Sequence, residues 1–472
     1  MSGKNTMDRF IEKNPLAVMT RCIANSLMGE ELNRIFEENR CRQYDDTIQF
    51  STIAMSMAEI ALGTVENRNQ AYRKYKDELQ TSTVAYYGKL NRTEPKISEA
   101  VVRYSAEQAG ALLDHLDFQP WDVLPGYRCF SLDGNHLQKT QKRLKETRGS
   151  CAAPLAGTVV ARFDHQTGLF DEAYLLEDAH AQESTVLDRV LDDLSQNDLV
   201  IADRHFCIVR FLLKLAARCG FFVIRQHGRL KGKLLGKRKR VGKIDSGTVY
   251  EQSMEICEDD ETLVIRRITV ELIEPTRDGD MEIHVLSNVP TEDADGCVLA
   301  QLYRDRWEIE NAFHVLTMTL NCEMPSNCYP RCALFQFCMA MFAYNCRQVL
   351  LAALYAEHEQ EDVDAMSQYQ VALDIVSPME GMLTAITEEE WSELTPKRAS
   401  GIATFLRDVS RHVDVRSYRK SVRGPKKPPP KRKRCKTGTH VSTHRLLERI
   451  FQGPFFVSCF KPTAYVLIAA KV

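Results

Sequence analysis

Between residues 128 and 225, short apolar runs alternate with helical stretches, and two of the runs stop at an aspartate. Arg128 to Leu132 is an apolar run ending in Asp133-Gly134, which reads as a strand that stops at a turn. Thr158 to Phe163 alternates, Asp164-His165-Gln166-Thr167-Gly168 has turn composition, and Glu172 to Leu176 completes a hairpin. Glu183 to Leu194 has helical periodicity. Asp198 to Ala202 (DLVIA) is a compact buried strand running into Asp203. Phe206 to Cys219 reads as a helix closed by Gly220, and Phe221 to Arg225 as a further strand. Three antiparallel strands, helix, strand, helix, strand is an α/β pattern with a mixed sheet. It matches the ribonuclease-H-like order, in which the first and fourth strands lie side by side.

At 472 residues the chain is expected to hold two to four domains, and a 44% hydrophobic share is ample for their cores. Residues 1–120 form a helical N-terminal region, with helical spacing in Ala17 to Phe36 and Phe50 to Leu62 and a turn around Lys89 to Lys96. That region is a candidate DNA-binding module, without a clear helix-turn-helix signature. Residues 121–228 form the first part of a ribonuclease-H-like core flanked by helices. Residues 229–281 read as a β-rich basic insertion, with strands at Thr262 to Leu272 and then Glu282 to Leu286. Residues 282–395 form the second part of the core, including the helix of Glu310 and a long helix from near Pro330. Residues 396–472 form a basic C-terminal region with Pro428-Pro429-Pro430 in an exposed linker. No internal repeat is detectable.

The net charge of -2 hides segregation. No acidic residue occurs between Asp203 and Asp245, a stretch containing Lys237-Arg238-Lys239-Arg240. None occurs between Asp414 and Glu448, where Lys431-Arg432-Lys433-Arg434 lies. Basic blocks on a near-neutral chain imply a polyanionic partner, or else solvated loops. The glycines 228, 232 and 236 with Lys233 and Lys237 do not make a phosphate-binding loop, which needs four residues between its glycines and a Ser or Thr after the Lys. The opening MSGKNTMDRF lacks an apolar core, so no secretory leader is expected. No uninterrupted apolar run of about 18 residues is present, so no membrane span is expected; Cys332 to Leu354 comes nearest and carries Gln336, Asn345, Arg347 and Gln348. The fifteen cysteines include no CxxC pair, and Cys328, Cys332, Cys338 and Cys346 lack zinc-finger spacing, so they read as reduced thiols.

Three acids stand out by position: Asp133 and Asp203 at strand ends, and Glu310 on a helix opened by Thr291, Glu292 and Asp293. Functional groups of open α/β sheets gather at the carboxyl ends of strands. Three carboxylates in one place repel one another and stay ionised only beside cations, for which Mg²⁺ is the natural oxygen-seeking candidate. On a continuous helix, Tyr303, Arg306, Glu310 and Thr317 share a face. Arg offers a bidentate fork to phosphate oxygens. The plain alternatives are that Asp133 opens an Asp-Gly turn and that Asp203 caps the following helix. Trp307 either stacks on an unpaired base or packs the helix on the sheet. His136, His205 and His314 are near the acids in sequence and read as structural before catalytic.

The text around these acids resembles the DDE transposases of bacterial insertion sequences, in particular insertion sequence family four. That group has Asp-Gly-Thr-like text at its first acid, Asp-Arg at its second and Tyr-x2-Arg-x3-Glu-x6-Lys at its third. This chain has Asp133-Gly134-Asn135-His136, Ala202-Asp203-Arg204-His205 and Tyr303-x2-Arg306-x3-Glu310-x6-Thr317. The likeness spans roughly residues 10 to 450 and includes QYDDTIQFSTIAMSMAEIALG. It implies a catalytic and metal-binding triad of Asp133, Asp203 and Glu310 holding two Mg²⁺ or Mn²⁺ ions. It implies strand cleavage at element ends, a hairpin intermediate and strand transfer into target DNA. Tyr303, Arg306, Arg204 and Thr317 would contact DNA near the cut, and Lys237, Arg238, Lys239 and Arg240 would follow its backbone. Thr317 departs from the family lysine and Asn135 from its hydroxyl residue; neither alters the triad.

The partners expected are double-stranded inverted-repeat ends and target DNA, bound by a homodimer, with no membrane. The compartment that the resemblance implies is a bacterial cytoplasm, at the nucleoid. Two other readings remain: a metal-dependent nuclease of the same fold, and a decayed or domesticated copy that binds DNA without cutting it.

Overall fold

β-Branched and aromatic runs pair into one nine-stranded sheet: β1 (Arg128–His136), β2 (Thr158–Asp164), β3 (Leu169–Leu176), β4 (Asp198–Ala202), β5 (Phe221–Arg225), β6 (Lys233–Ile244), β7 (Gly247–Glu258), β8 (Glu261–Leu272) and β9 (Glu282–Ser287). The computed structural model describes residues 3–421 and 424, apart from 29–30, 43–47, 119–122, 139–154, 277–278 and 325–328. The run Lys431 to Arg434, the Pro428 to Pro430 segment and Cys328 lie outside the described residues.

The strand order is β3-β2-β1-β4-β5-β9-β8-β7-β6. β1, β4 and β5 are parallel neighbours, and every other pairing is antiparallel. The first five strands thus have the ribonuclease-H-like arrangement, with helices on both faces. All five residues of β4 are buried, which is why its sequence is continuously apolar after Asp198 rather than alternating. Val200 and Ala202 share a core with Phe211, Leu212 and Leu215 of the Val209–Ala217 helix. Leu199 and Ile201 share another with Leu299, Ala300 and Leu302 of the Gly296–Asp305 helix.

Several local expectations shift. β1 does not stop before Asp133; it runs to His136, because β2 supplies partners for Asp133 through His136. Asp133-Gly134 is therefore strand, not turn. β3 begins at Leu169, directly after the turn that Gly168 closes with φ 70. Cys219, not Gly220, takes the left-handed position at the end of the Val209–Ala217 helix, with φ 56. Lys89 to Arg92 belong to the Thr83–Arg92 helix, and the connection to the Pro95–His115 helix is only Thr93 and Glu94. The segment read as one helix from Thr291 is two: Gly296–Asp305, capped by the Asp295 side chain on the N–H groups of Cys297 and Val298, and Trp307–Met318, with Arg306 at the break. The basic run from Lys233, read as a glycine-containing stretch, is itself a strand.

The helical N-terminal region packs around the Pro330–Tyr355 helix, whose residues are almost all buried from Cys332 to Leu354. By length and composition this helix alone among the described residues is apolar enough to cross a membrane, and 83% of its most apolar window is buried inside the protein. Its apolar sequence follows from a central position touching both the N-terminal helices and the sheet. Cys332, Cys338 and Cys346 are buried and not disulfide-bonded. The Ala399–Ser410 helix adds Ile402, Ala403 and Leu406 to the same core, so the folded unit runs to Lys420, beyond the boundary drawn at 395.

One buried amide joins the two parts. Asn345 Oδ1 accepts from the Phe170 N–H at 3.0 Å, and its Nδ2 donates to the Phe170 carbonyl at 2.9 Å and to Ser105 Oγ at 2.8 Å. Leucine at 345 leaves both Phe170 backbone groups unpaired away from water. Asn345→Leu is expected to destabilise the protein by about 2–4 kcal/mol, measured as a lowered urea midpoint. An unchanged midpoint would show that another group satisfies Phe170.

Candidate active site

The parallel register of β1 and β4 pairs Leu132 with Ala202, so the next residues, Asp133 within β1 and Asp203 just past the end of β4, come side by side at the carboxyl end of β4. Glu310 reaches the same end from the Trp307–Met318 helix, through Arg306. Arg306 Nη1 lies 3.3 Å from Asp133 Oδ2 and Nη2 lies 2.6 Å from Glu310 Oε1. The guanidinium side chain is 9% exposed, and its Nε is buried without a hydrogen-bond partner. Its Cζ stands 5.9 Å from the Tyr303 ring centroid. Burial pushes the Asp133 carboxyl up to about 6; Asp203 and Glu310 push the same way, and Arg306 and the Gly134 N–H oppose them. The Asp133 carboxyl is thus raised chiefly by burial, which Arg306 offsets only in part.

Asp203 also acts as a cap: its Oδ1 accepts the His205 N–H at 2.7 Å, and its Oδ2 lies 3.1 Å from His205 Nδ1. The structural reading of Asp203 and its place beside Asp133 hold together. Among the described residues, no three His, Cys, Asp or Glu side chains stand close enough to share one metal ion. In this arrangement Arg306 fills the space between Asp133 and Glu310.

The other candidates fall into distinct places. Trp307 is 60% exposed, so it is not a core residue. Thr317 is exposed, but its hydroxyl donates to the Phe313 carbonyl at 2.7 Å, so that proton is already engaged. Arg204 is exposed and lines a cleft of about 540 Å³ with His136, Glu183, His205, His227 and Arg229. Lys237, Lys239 and Arg240 lie on the exposed edge strand β6, far from the triad in sheet order. Lysines on an edge strand also hinder edge-to-edge pairing. Arg238 is different: it bonds Glu271 and Glu282 at 2.9 Å each and lies 4.1 Å over the Tyr250 ring, so it is committed internally. His136 bonds Thr158 Oγ1 at 2.8 Å across the β1–β2 pair, and His314 is exposed.

Two features were not foreseen. His165 is 1% exposed and bridges Ser131 Oγ at 2.6 Å and Glu308 Oε2 at 3.0 Å. It braces β1, two residues before Asp133, against the helix of Glu310. Its sequence setting is a hairpin turn, which carries no such signal. Glu183 lies against Gly134, where a Cβ would stand 1.9 Å from its Oε1. Gly134 leaves room for the Glu183 side chain and serves no turn.

Residues 125–346 match the family model described as the transposase DDE domain. That segment contains the whole sheet together with Asp133, Asp203, Tyr303, Arg306 and Glu310. No curated protein sequence matches the chain. Among solved structures, a piggyBac transposase synaptic complex with hairpin DNA is similar at 10% identity and a TM-score of 0.41, over 89% of this chain and 88% of that one. The domain match supports a DDE transposase, a nucleic-acid-cleaving enzyme, without singling out insertion sequence family four.

Proposed function

We propose that the chain is a cut-and-paste DNA transposase of the kind found in bacterial insertion sequences, resembling family four, and that Asp133, Asp203 and Glu310 are its catalytic carboxylates. The observation that carries this reading is the side-by-side emergence of Asp133 and Asp203 from β1 and β4, with Arg306 tying Glu310 to the same point. The donor set suits a hard divalent ion: all three groups offer carboxylate oxygens, and burial disfavours the bare charge of Asp133. Asp133, Asp203 and Glu310 would hold Mg²⁺ or Mn²⁺, which supplies activation of an attacking oxygen and stabilisation of the leaving one. Arg306 and Tyr303 would then orient the phosphate, and exposed Trp307 would stack on an unpaired base beside it. Arg204 and the exposed basic residues of β6 would track the backbone. The substrate would be paired inverted-repeat ends held by two copies of the chain, in a bacterial cytoplasm.

The direct test uses duplexes carrying the inverted repeats that flank the gene, with Mg²⁺, Mn²⁺ or chelator. Cleavage and joining only with divalent ion is expected. Cutting without joining would favour a nuclease, and binding without cutting a decayed copy. A further prediction concerns Thr317. Lysine there adds a cation beside the phosphate path, so Thr317→Lys is expected to tighten end binding and steepen the salt dependence of log K by about 0.9. Unaltered affinity across salt concentrations would mean that position 317 faces away from DNA.

A further inference from the structure

The basic extension, β6–β8, shares an apolar core with the Gly296–Asp305 helix (Val249, Ile268 and Val270 with Leu299, Ala300 and Leu302), and one arginine that neither motif includes adds a polar tie between them. Arg266, on β8, uses all three guanidinium nitrogens. Nε and Nη2 bond the two oxygens of Glu251 on β7, each at 2.8 Å. Nη1 donates to the carbonyls of Val289, Pro290 and Ala294 at 2.9, 3.2 and 2.7 Å. Those three carbonyls belong to the turn that leads, through the Asp295 cap, into the helix bearing Tyr303 and ending at Arg306. The Arg266 and Glu251 side chains are 11% and 20% exposed, so the pair is shielded enough to be stiff. The same helix start sits on the extension: a Cβ at Gly296 would lie 3.1 Å from Glu251 Oε2 and 3.5 Å from Val241. One residue further in, Cys297 Sγ lies 2.6 Å from where a Cβ on Gly242 of β6 would be.

We infer that Arg266 is a positioning residue: it registers DNA held on β6–β8 against the carboxylates by fixing that extension to the Tyr303–Arg306 helix. The inference rests on the DNA strand-transfer reading above. Sheet pairing alone does not provide this tie. β7, β8 and β9 remain hydrogen-bonded to one another whatever occupies position 266, whereas the carbonyls of Val289, Pro290 and Ala294 reach β8 through Arg266. A lysine offers one point charge and cannot grip Glu251 in a fork while reaching three carbonyls.

The test compares the full-length protein with Arg266→Met on the same inverted-repeat duplex. DNA affinity is expected to stay within about twofold, while cleavage at saturating DNA falls by roughly ten- to a hundredfold, the effect of a small misplacement at the reacting centre. The tie is then rebuilt covalently. In Arg266→Met/Gly242→Cys the new Cβ would lie 2.6 Å from Cys297 Sγ, so a small shift brings the two sulfurs to bonding distance (S–S about 2.05 Å). Oxidation is expected to restore cleavage and reduction to remove it again, with the bond confirmed by mass spectrometry and Gly242→Cys/Cys297→Ser as control. A purely structural arginine would lower the melting temperature without this redox-dependent recovery. Full cleavage by Arg266→Met, weaker DNA binding with unchanged cleavage at saturation, or no recovery once the disulfide has formed would each overturn the inference. If Arg266→Met does not fold, Arg266→Lys, which keeps the charge but cannot hold Glu251 and reach all three carbonyls, is expected to show the same split in milder form, and its absence counts against the tie. If the unaltered protein binds DNA but does not cut it, the functional reading fails by itself. Amide exchange then decides the inference: DNA should protect residues 296–310 in the unaltered protein and not in Arg266→Met.

Discussion

Asp133→Asn is expected to lower Mg²⁺-supported strand cleavage by on the order of a thousandfold, since a bound ion contributes several kcal/mol of charge stabilisation and each 1.36 kcal/mol is a factor of ten. DNA binding should survive, because Arg306, Tyr303 and the exposed basic residues are untouched. The variant should not be less stable. Asp133 has its carboxyl pushed from the ordinary value of 3.8 up to about 6, chiefly by burial. A group whose folded pKa lies above its unfolded one weakens the fold as pH rises through that interval. A neutral amide removes that penalty, so the metal-free variant should melt at the same temperature as the parent or higher at pH 7. Thermal melts alongside cleavage assays separate lost chemistry from lost structure. Undiminished cleavage would remove Asp133 from the catalytic set.

The second large effect is on divalent-ion binding as a function of pH. Below about 6 the Asp133 carboxyl holds a proton in the metal-free protein, and an incoming cation must displace it. Mg²⁺ or Mn²⁺ affinity should therefore fall by about tenfold per pH unit below 6 and level off above about 7, the limit for competition by one proton. Calorimetry in buffers of different ionisation enthalpy should find one proton released per ion bound near pH 5 and almost none near pH 8. The sign is fixed by the upward shift: an acid held below its ordinary value would show no competition until pH 4 or lower. Affinity that stays flat from pH 5 to pH 8 would place the ion away from Asp133. Arg306 enters the same balance, since it neutralises Asp133 and Glu310 together in the metal-free arrangement.

The strand order of the core was legible because β4 and the middles of β1 and β5 are buried and so appear as short, largely apolar runs. The juxtaposition of Asp133 and Asp203 followed from that order, since neighbouring parallel strands deliver their ends to one place. What escaped was set by tertiary partners. Asp133-Gly134 has turn chemistry, yet β2 pairs with it and keeps it extended. The Lys233–Ile244 strand is so charged that its composition reads as loop; it is β because β7 pairs with it along most of its length. The break at Arg306 leaves no sequence mark, because the apolar spacing continues on both sides. His165 and Arg266 act through contacts with residues far along the chain, Glu308 and Val289 to Ala294, and local periodicity is blind to such partners.

β9 carries a consequence of its own. It is bonded to β5 on one side and β8 on the other, so the ribonuclease-H-like strands and the extension are successive rows of a single fabric. Trimming the chain between 229 and 281 to make a minimal enzyme would unseam β9 from one flank. The raw hem left behind would expose unpaired amides and carbonyls beside the catalytic strands, inviting adhesion between copies. Miniaturised versions of this protein should therefore be limited by solubility before chemistry becomes the obstacle.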